Sequence, residues 1–599
     1  MEVKTYQHKK ILVITCILTV AIAVLIGRLG YIMIGQNEYF SQRANDLHER
    51  ERAIKAPRGR IIDRNGVVLA GNRSVCTISV IHSQLTDPEQ VIRVLSSQLD
   101  ISEDDIRKKV EKVSSRENIA SNVDMNIADA IRNYHLDGVM IDDDYKRYYP
   151  YDTLASKVIG FTGADNQGIV GLEVKYDSVL QGTEGYILTL TDAHGIEIDH
   201  AAEHRKEPIE GNDLHISLDV NIQKYAEQEA EKALIAKEAT GVSIIVMNPN
   251  NGEIYAMVNA PEYNLNEPYT LIDPLAVSSV SDPDSDPEEA AEDSGTADNM
   301  QTISRQDALN MMWRNFCVND TYEPGSIFKT VTATSALEHG TVKVDDVFNC
   351  PGFRIIGNWT IKCHKRTGHG TETFREGIMN SCNPVFMDVG LRTGTDAIYE
   401  TYEQLGLTGK TGIDLPGEAG SILHPKDEVQ DVDLAVMSFG QSLQFTPIQI
   451  LTAVSTIVNG GNKITPHFGS YVTDTEGNVI QTYEYPVKEH VISEETSHTM
   501  LELMEAVVME GGGSKGQVEG YRIAGKTATS EKLPRGNGKY IASYIGVAPA
   551  DHPQVITLVL INEPTGIYYG GTIAAPVSSR IYENILPYLG LYPTYQEEE

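Results

Sequence analysis

The chain opens on an almost unbroken apolar run. Residues 11–27 carry no charge, and after Arg28 the run resumes as far as Ile34. At about 1.5 Å per residue such a helix crosses roughly 30 Å of hydrocarbon, with Arg28 near the far end able to snorkel. The run exceeds the apolar core of a signal peptide, and no small-x-small cleavage site clearly follows it. It therefore reads as a single-pass anchor (residues 11–34) in preference to a cleaved signal. Lys4, Lys9 and Lys10 precede it. Basic flanks stay inside, which assigns residues 1–10 to the cytoplasm and everything after residue 35 to the outside.

Residues 35–212 alternate short apolar and polar stretches in a mixed α/β pattern. Between Arg58 and Ala70 two strand-like pieces flank Asn65-Gly66, a hairpin turn signal. Residues 103–117 read as a charged helix. The charges of this region read as solvated surface, and the region as a spacer or docking module.

Near Leu214 the texture changes. Residues 221–238 place Ile222, Ala226, Ala230, Ala233 and Leu234 on one helical side. Strand-like runs follow at 242–247 and 253–258, joined by Asn248-Pro249-Asn250-Asn251-Gly252. Three more appear late, at 521–529, 540–547 and 555–561, before a closing helix at 572–589. Two strands early and three late, with helices between, predict one five-stranded antiparallel sheet covered by helices on both faces, in a domain spanning 213–592. Residues 278–299 hold Asp282, Asp284, Asp286, Glu288, Glu289, Glu292 and Asp293 with few apolar partners. They read as an acidic mobile insertion. Residues 593–599 read as a tail.

Charge narrows the partners. Lys+Arg of 49 against Asp+Glu of 84 gives a net charge of −35 over 599 residues, which argues against nucleic acid. Six cysteines are too few for a disulfide scaffold.

The candidate chemistry gathers on the turn Tyr322-Glu323-Pro324-Gly325-Ser326-Ile327-Phe328-Lys329. After Pro324 and Gly325 an apolar pattern runs as a helix to Gly340, so Ser326 and Lys329 share a face of its first turn. A lysine buried beside apolar neighbours can lose its proton and activate the serine. Thr373-Phe374-Arg375-Glu376 is a capping box opening a helix to about Asn380. Ser381-Cys382-Asn383 then lies in a short loop, with Asn383 capping the next helix and Pro384 in its first turn. Lys526-Thr527-Ala528-Thr529 ends a strand whose edge could pair with an extended peptide, its carboxylate held by Lys526 and the threonine hydroxyls.

Each element alone is weak. Together and in this order, Ser-x-x-Lys, Ser-x-Asn and Lys-Thr-Gly resemble the signature of serine penicillin-recognising enzymes. The spacing is similar to that of class B penicillin-binding proteins, in the stage V sporulation protein D and division-transpeptidase branch. The Arg58–Ala70 hairpin resembles the opening motif of that family's pedestal, and 439–449 resembles a transpeptidase-domain motif. The resemblance implies a pedestal (dimerisation-type) domain at 35–212, a transpeptidase domain at 213–592, and a membrane-anchored D,D-transpeptidase that binds β-lactams. Ser326 would attack the penultimate D-Ala carbonyl of a peptidoglycan stem peptide with Lys329 as base. Ser381 and Lys526 would help protonate the leaving D-Ala, Asn383 would position the donor, and Thr527, Ala528 and Thr529 would line the substrate. It implies no cofactor, and a polytopic glycan polymerase of the shape, elongation, division and sporulation family as partner. The rival readings are a β-lactam-hydrolysing or β-lactam-sensing acyl-enzyme and a catalytically decayed scaffold. No convincing Glu-x-x-Leu-Asn loop supports hydrolysis. One position departs from the family pattern: Ala528 stands where glycine is usual, and its methyl is expected to crowd the ligand.

Three cysteines fall between residues 350 and 382. A Cys363–Cys382 disulfide is favoured over Cys350–Cys363, with small buried thiols that never pair as the alternative. Cys350, Cys363, His364 and His369 fit no standard zinc spacing, so no metal is expected, and the two histidines read as loop residues beside the cleft.

Overall fold

The computed structural model describes residues 2–37, 49–113, 116–190, 204–272 and 304–593. The acidic stretch 278–299 and all but the first residue of the tail lie outside them. The chain divides into two compact units. One comprises Met1–Pro57, Arg73–Lys146 and Gly182–Glu210, the other Arg58–Asn72, Arg147–Gln181 and Gly211–Glu599.

In the first unit the apolar N-terminal run is helical over Glu2–Gly30, and its apolar window spans His8–Gly35. Its globular part packs Pro88–Leu99 and Glu103–Val110 against Glu117–Asp124, with Ile78, Ile92, Leu95, Ile106 and Val110 at the centre. The charged helix stops at Val110, shorter than the sequence pattern suggests. Only Ile106 and Val110 of its eight residues are buried, so packing supports it no further.

The second unit is built on the expected sheet. Helix α1 (Val220–Lys237) leads into strands β1 (Gly241–Met247) and β2 (Ile254–Ala260). Helix α2 (Lys329–Glu338) follows. Next come two small ladders, β3 (Val347–Cys350) with β6 (Gly370–Thr373), and β4 (Phe353–Ile356) with β5 (Trp359–Lys362). Helices α3 (Phe374–Met379), α4 (Asn383–Thr393), α5 (Pro447–Val458) and α6 (Glu494–Met509) precede strands β7 (Ala524–Glu531), β8 (Tyr540–Ala548) and β9 (Val555–Asn562). Helix α7 (Ala575–Tyr588) closes the unit.

The sheet order is β2-β1-β9-β8-β7, every pair antiparallel. Alternate residues supply two cores. Ile244, Val246, Val559 and Ile561 meet α1 and α7, whereas Ile245, Met247, Leu558 and Leu560 belong to the core that holds α2, α4 and α5. A strand with apolar residues on both faces loses its alternation, which is why these runs look uniformly apolar in the sequence. Strand β7 ends the sheet, so one of its edges carries no strand among the described residues.

One expectation is corrected here. The charges near Arg58 and Gly171 are not all solvated: Arg58 and Glu173 are fully buried in the second unit. Arg58 donates to the Glu173 carboxylate at 2.6 Å and to Asp177 at 2.7 Å, and Arg147 donates to the other Glu173 oxygen at 2.6 Å. Arg147 Nη1 reaches the Gly59 carbonyl at 2.7 Å, while its Nη2 has no hydrogen-bond partner among the described residues. Arg58 Nη1 and Nη2 reach the backbone carbonyls of Asn166 at 2.9 Å and Glu173 at 2.7 Å. A guanidinium tolerates burial when its fork is met by acceptors in this way. Removing the shared carboxylate leaves Arg147 without its counter-ion and Arg58 with Asp177 alone. Glu173→Ala is therefore expected to lower the unfolding free energy by about 3–5 kcal/mol, read as a drop in the urea midpoint. A change below about 1 kcal/mol would mean that water reaches the pair.

Candidate active site

Ser326 stands on a tight 3-10 turn, Gly325–Phe328, that runs straight into α2. The turn is seated by the segment at 439–449. Gly325 N–H donates to the Gly440 carbonyl at 3.0 Å, and Tyr322 and Phe445 exchange backbone hydrogen bonds of 3.0 and 3.1 Å. The Phe328 ring stacks on Phe445 with centroids 5.4 Å apart. Gly325 has φ +54°, and a Cβ there would lie 2.4 Å from the Ser530 hydroxyl. Gly440 has φ +86°, and a Cβ there would meet the Gly325 carbonyl at 2.0 Å. Both positions exclude a side chain on conformation and on space. The buried Glu323 carboxylate accepts from Ser442 N–H at 2.8 Å and pairs with Arg535 at 2.8 Å. Sequence reasoning does not find this clamp. The hint in the sequence is a carboxylate three residues before Ser326.

Lys329 is fully buried one helical turn after Ser326. Its Nζ donates to the Ser381 carbonyl at 2.6 Å, the Ser381 hydroxyl at 3.1 Å and Asn383 Oδ1 at 2.8 Å. Lys526 on β7 is also fully buried, and its Nζ reaches the same Ser381 hydroxyl at 3.1 Å and the Thr527 carbonyl at 3.0 Å. One hydroxyl thus lies between two amines that can be no more than about 6 Å apart. At an effective dielectric of about 20, two ammonium charges that close repel by about 3 kcal/mol, or about two pKa units. Burial lowers the Lys329 pKa to about 8, with the nearby Cys382, Cys363 and Glu372 acting in the opposite sense. Burial and the neighbouring Lys329 push Lys526 well below the usual lysine range. The Ser326 hydroxyl is half-exposed and makes no hydrogen bond among the described residues. A hydroxyl waiting for substrate in this way is common before a ligand closes the geometry.

Helix α3 starts at the expected capping box of Thr373 and Glu376. The next cap differs from expectation. Cys382 occupies the N-cap of α4 and Asn383 is the first helical residue, its amide turned to Lys329 instead of capping. Ser381 is held at φ +53°, a conformation that costs a non-glycine residue about 1–2 kcal/mol. Backbone bonds from Ser381 N–H to Ile378 at 3.2 Å and from Cys382 N–H to Gly377 at 2.9 Å hold it there. Strain of this kind persists where the surroundings over-determine it.

On β7 the buried side chains are Lys526, Ala528 and Ser530, whereas Thr527 and Thr529 are half-buried on the other face. The Thr529 hydroxyl accepts from Gly570 N–H at 3.1 Å, leaving its own proton free to donate. Ala528 departs from the expected crowding of the ligand. Its methyl is only 4% exposed, and a Cβ built on Gly325 would stand 3.6 Å from it. The methyl packs beneath the Ser326 turn. All six cysteines are free thiols, and Cys350, Cys363, Cys382 and His369 converge, with ligand atoms within 4.8 Å of one another. His364 is exposed.

Two family models match the chain: the penicillin binding protein transpeptidase domain over residues 242–583 and the penicillin-binding protein dimerisation domain over 53–216. Among curated proteins, the chain is 35% identical to stage V sporulation protein D of Bacillus subtilis, covering 100% of this chain and 89% of that one. It is 29% identical to peptidoglycan D,D-transpeptidase FtsI of Escherichia coli K12, covering 96% and 91%. The fold is similar to the crystal structure of penicillin binding protein 2X from Streptococcus thermophilus, with a TM-score of 0.71 at 21% identity over 90% of this chain and 80% of that one.

Ala528→Gly removes a buried methyl and loosens a strand. It is expected to lower stability by about 1–2 kcal/mol. The β-lactam labelling rate at Ser326 should stay the same or fall. A faster rate in the glycine variant would restore the crowding account.

Proposed function

The chain belongs to the class B penicillin-binding proteins, the family of peptidoglycan D,D-transpeptidases, and from that premise we propose that it cross-links stem peptides through an acyl-enzyme on Ser326. The observation that carries this reading is the hydroxyl of Ser381 shared by two buried amines, one of them a helical turn from Ser326.

In the first half-reaction Lys329, as the neutral amine, takes the Ser326 proton while Oγ attacks the penultimate D-Ala carbonyl. The Ser326 and Thr529 backbone amides stabilise the oxyanion. The proton passes through Ser381, with Lys526 holding the hydroxyl, to the departing D-Ala amine. The Asn383 amide aligns the donor peptide, and Thr527 and Thr529, on the face of β7 opposite Lys526, meet its carboxylate. In the second half-reaction an amine of a neighbouring stem peptide takes the acyl group and frees Ser326. β-Lactams enter by the same attack. Asn383 and Ser381 are serviceable in these roles because the fold fixes both through Lys329.

The apolar window His8–Gly35 serves as a single-pass anchor, with residues 1–10 inside and the catalytic domain outside. Residues 35–212 act as the pedestal and 213–592 as the transpeptidase domain, in the synthesis of septal or spore wall. A polytopic glycan polymerase is the partner that would supply the strands to be cross-linked.

Ser326→Ala is expected to abolish penicilloyl adduct formation, read as the mass of the intact protein after penicillin treatment, with the thermal transition unchanged. Lys329→Ala should do nearly as much harm, and the double variant little more, because base and nucleophile act as one unit. An adduct on the alanine variant would remove Ser326 from the role. After acylation by a donor thioester, an added amine should take the acyl group faster than water does. Preference for water would favour a hydrolase instead.

The acylation rate should also depend on pH in a definite sense. The base form of Lys329 is the neutral one, and its pKa is about 8. The rate is therefore expected to rise about tenfold per pH unit below that value and to level off above it. A profile flat between pH 6 and 9, measured with a fluorescent penicillin, would exclude Lys329 as the base.

A further inference from the structure

We propose that Cys350, Cys363, His369 and Cys382 form a tetrahedral site for a zinc-class divalent cation, and that the bound ion pins the loop carrying Ser381 and Asn383. The four residues come from four separate points of the chain, each at the end of an element. Cys350 is the last residue of β3, Cys363 follows β5, His369 precedes β6, and Cys382 caps α4. Their side chains are buried, and the ligand atoms lie within 4.8 Å of one another. With Zn–S bonds of about 2.3 Å, a tetrahedral site has edges of about 3.8 Å. The separation of Cys363 Sγ from His369 Nδ1 is already 3.8 Å. Three sulfurs and one imidazole nitrogen are a donor set that selects zinc over the hard cations, and four protein ligands leave no open position, as in structural sites.

Two further observations point to a cation at this place. Glu372 is buried beside His369, with Oε1 at 3.8 Å from Nδ1. Its Oε2 accepts from Asn380 at 3.0 Å, but Oε1 has no hydrogen-bond partner among the described residues. A buried carboxylate oxygen left this way costs free energy that a neighbouring positive charge recovers. The β4–β5 hairpin beside the cluster also has little core: its Phe353, Ile355 and Trp359 are exposed. Two-stranded hairpins are marginal alone, and a metal is one of the few staples that can hold such a segment. A Cys363–Cys382 disulfide would use two thiols and leave Cys350, His369 and the Glu372 oxygen without a role.

Cys382 lies between Ser381 and Asn383, both of which hold Lys329. An ion bound there fixes the loop through the residue between the two that hold the lysine. Binding releases the thiol protons to solvent and needs no oxidant or reductant.

The test uses the full-length chain, purified in detergent with reductant and without chelator. Mass spectrometry of the metal content should find about one zinc per chain, and Cys350→Ser and His369→Ala should each reduce it at least tenfold. Cys317→Ser, which removes a buried thiol elsewhere, should leave it unchanged. A second measurement, independent of how the variants fold, uses the unaltered protein: Co²⁺ exchanged into it should give thiolate charge-transfer absorption and the intense visible bands of a tetrahedral site. Metal-free protein with all six thiols titratable, or a Cys363–Cys382 disulfide in freshly isolated metal-free protein, would overturn the proposal. Chelation should slow penicillin labelling at least tenfold and zinc should restore it, a readout that rests on Ser326 as nucleophile where the metal content does not. Zinc bound without any effect of its removal on labelling would overturn the pinning of the loop.

Discussion

The second unit depends on keeping two lysine amines out of water within reach of one hydroxyl. Neither Lys329 nor Lys526 could be buried at an arbitrary place in a core, since an unpaired ammonium there is expensive. Here each has oxygen acceptors supplied by backbone and side chain, and the two share Ser381 Oγ. Burial and mutual repulsion favour losing a proton, which converts a stability cost into basicity near neutral pH.

That arrangement sets requirements on its neighbours. Ser381 must occupy a left-handed conformation so that its carbonyl and hydroxyl both face Lys329. The loop must therefore be held at both ends, by α3 and by the cap of α4. Lys526 must come from the outermost strand of the sheet, because an inner strand could not present a lysine and keep an open edge. The Ser326 turn must lie flat against β7, hence the glycine at 325 and the buried methyl of Ala528. The Glu323–Arg535 pair and the Gly440 backbone then fix the turn from behind. The convergent thiols next to the same loop extend this logic, since they stand where rigidity matters most.

Much was legible in the sequence, for reasons that can be named. The two early and three late strands stand out because both faces of the sheet are covered, which makes them apolar throughout. The Thr373–Glu376 capping box and the proline after Asn383 are local signals, and local signals survive translation into structure. The uncharged run of residues 11–27 needs only its length and composition to be recognised, and the three short motifs needed only their order.

What the sequence could not hold is anything that depends on distant residues meeting. It marked Arg58 and Glu173 as charges, but only the fold, across 115 positions, makes them a buried pair. It offered Cys350, Cys363, His364 and His369 as neighbours along the chain. The fold exposes His364 and substitutes Cys382, because β-ladders and a helix cap, not spacing, decide which atoms converge. It placed Ala528 on a substrate edge, while the pleat of β7 turned the methyl beneath the serine. Periodicity, caps and motif order are written in consecutive residues, so the sequence by itself determined the elements and the family resemblance. Burial, shared protons and ligand geometry arise between elements, so only the tertiary structure decided how the site is built.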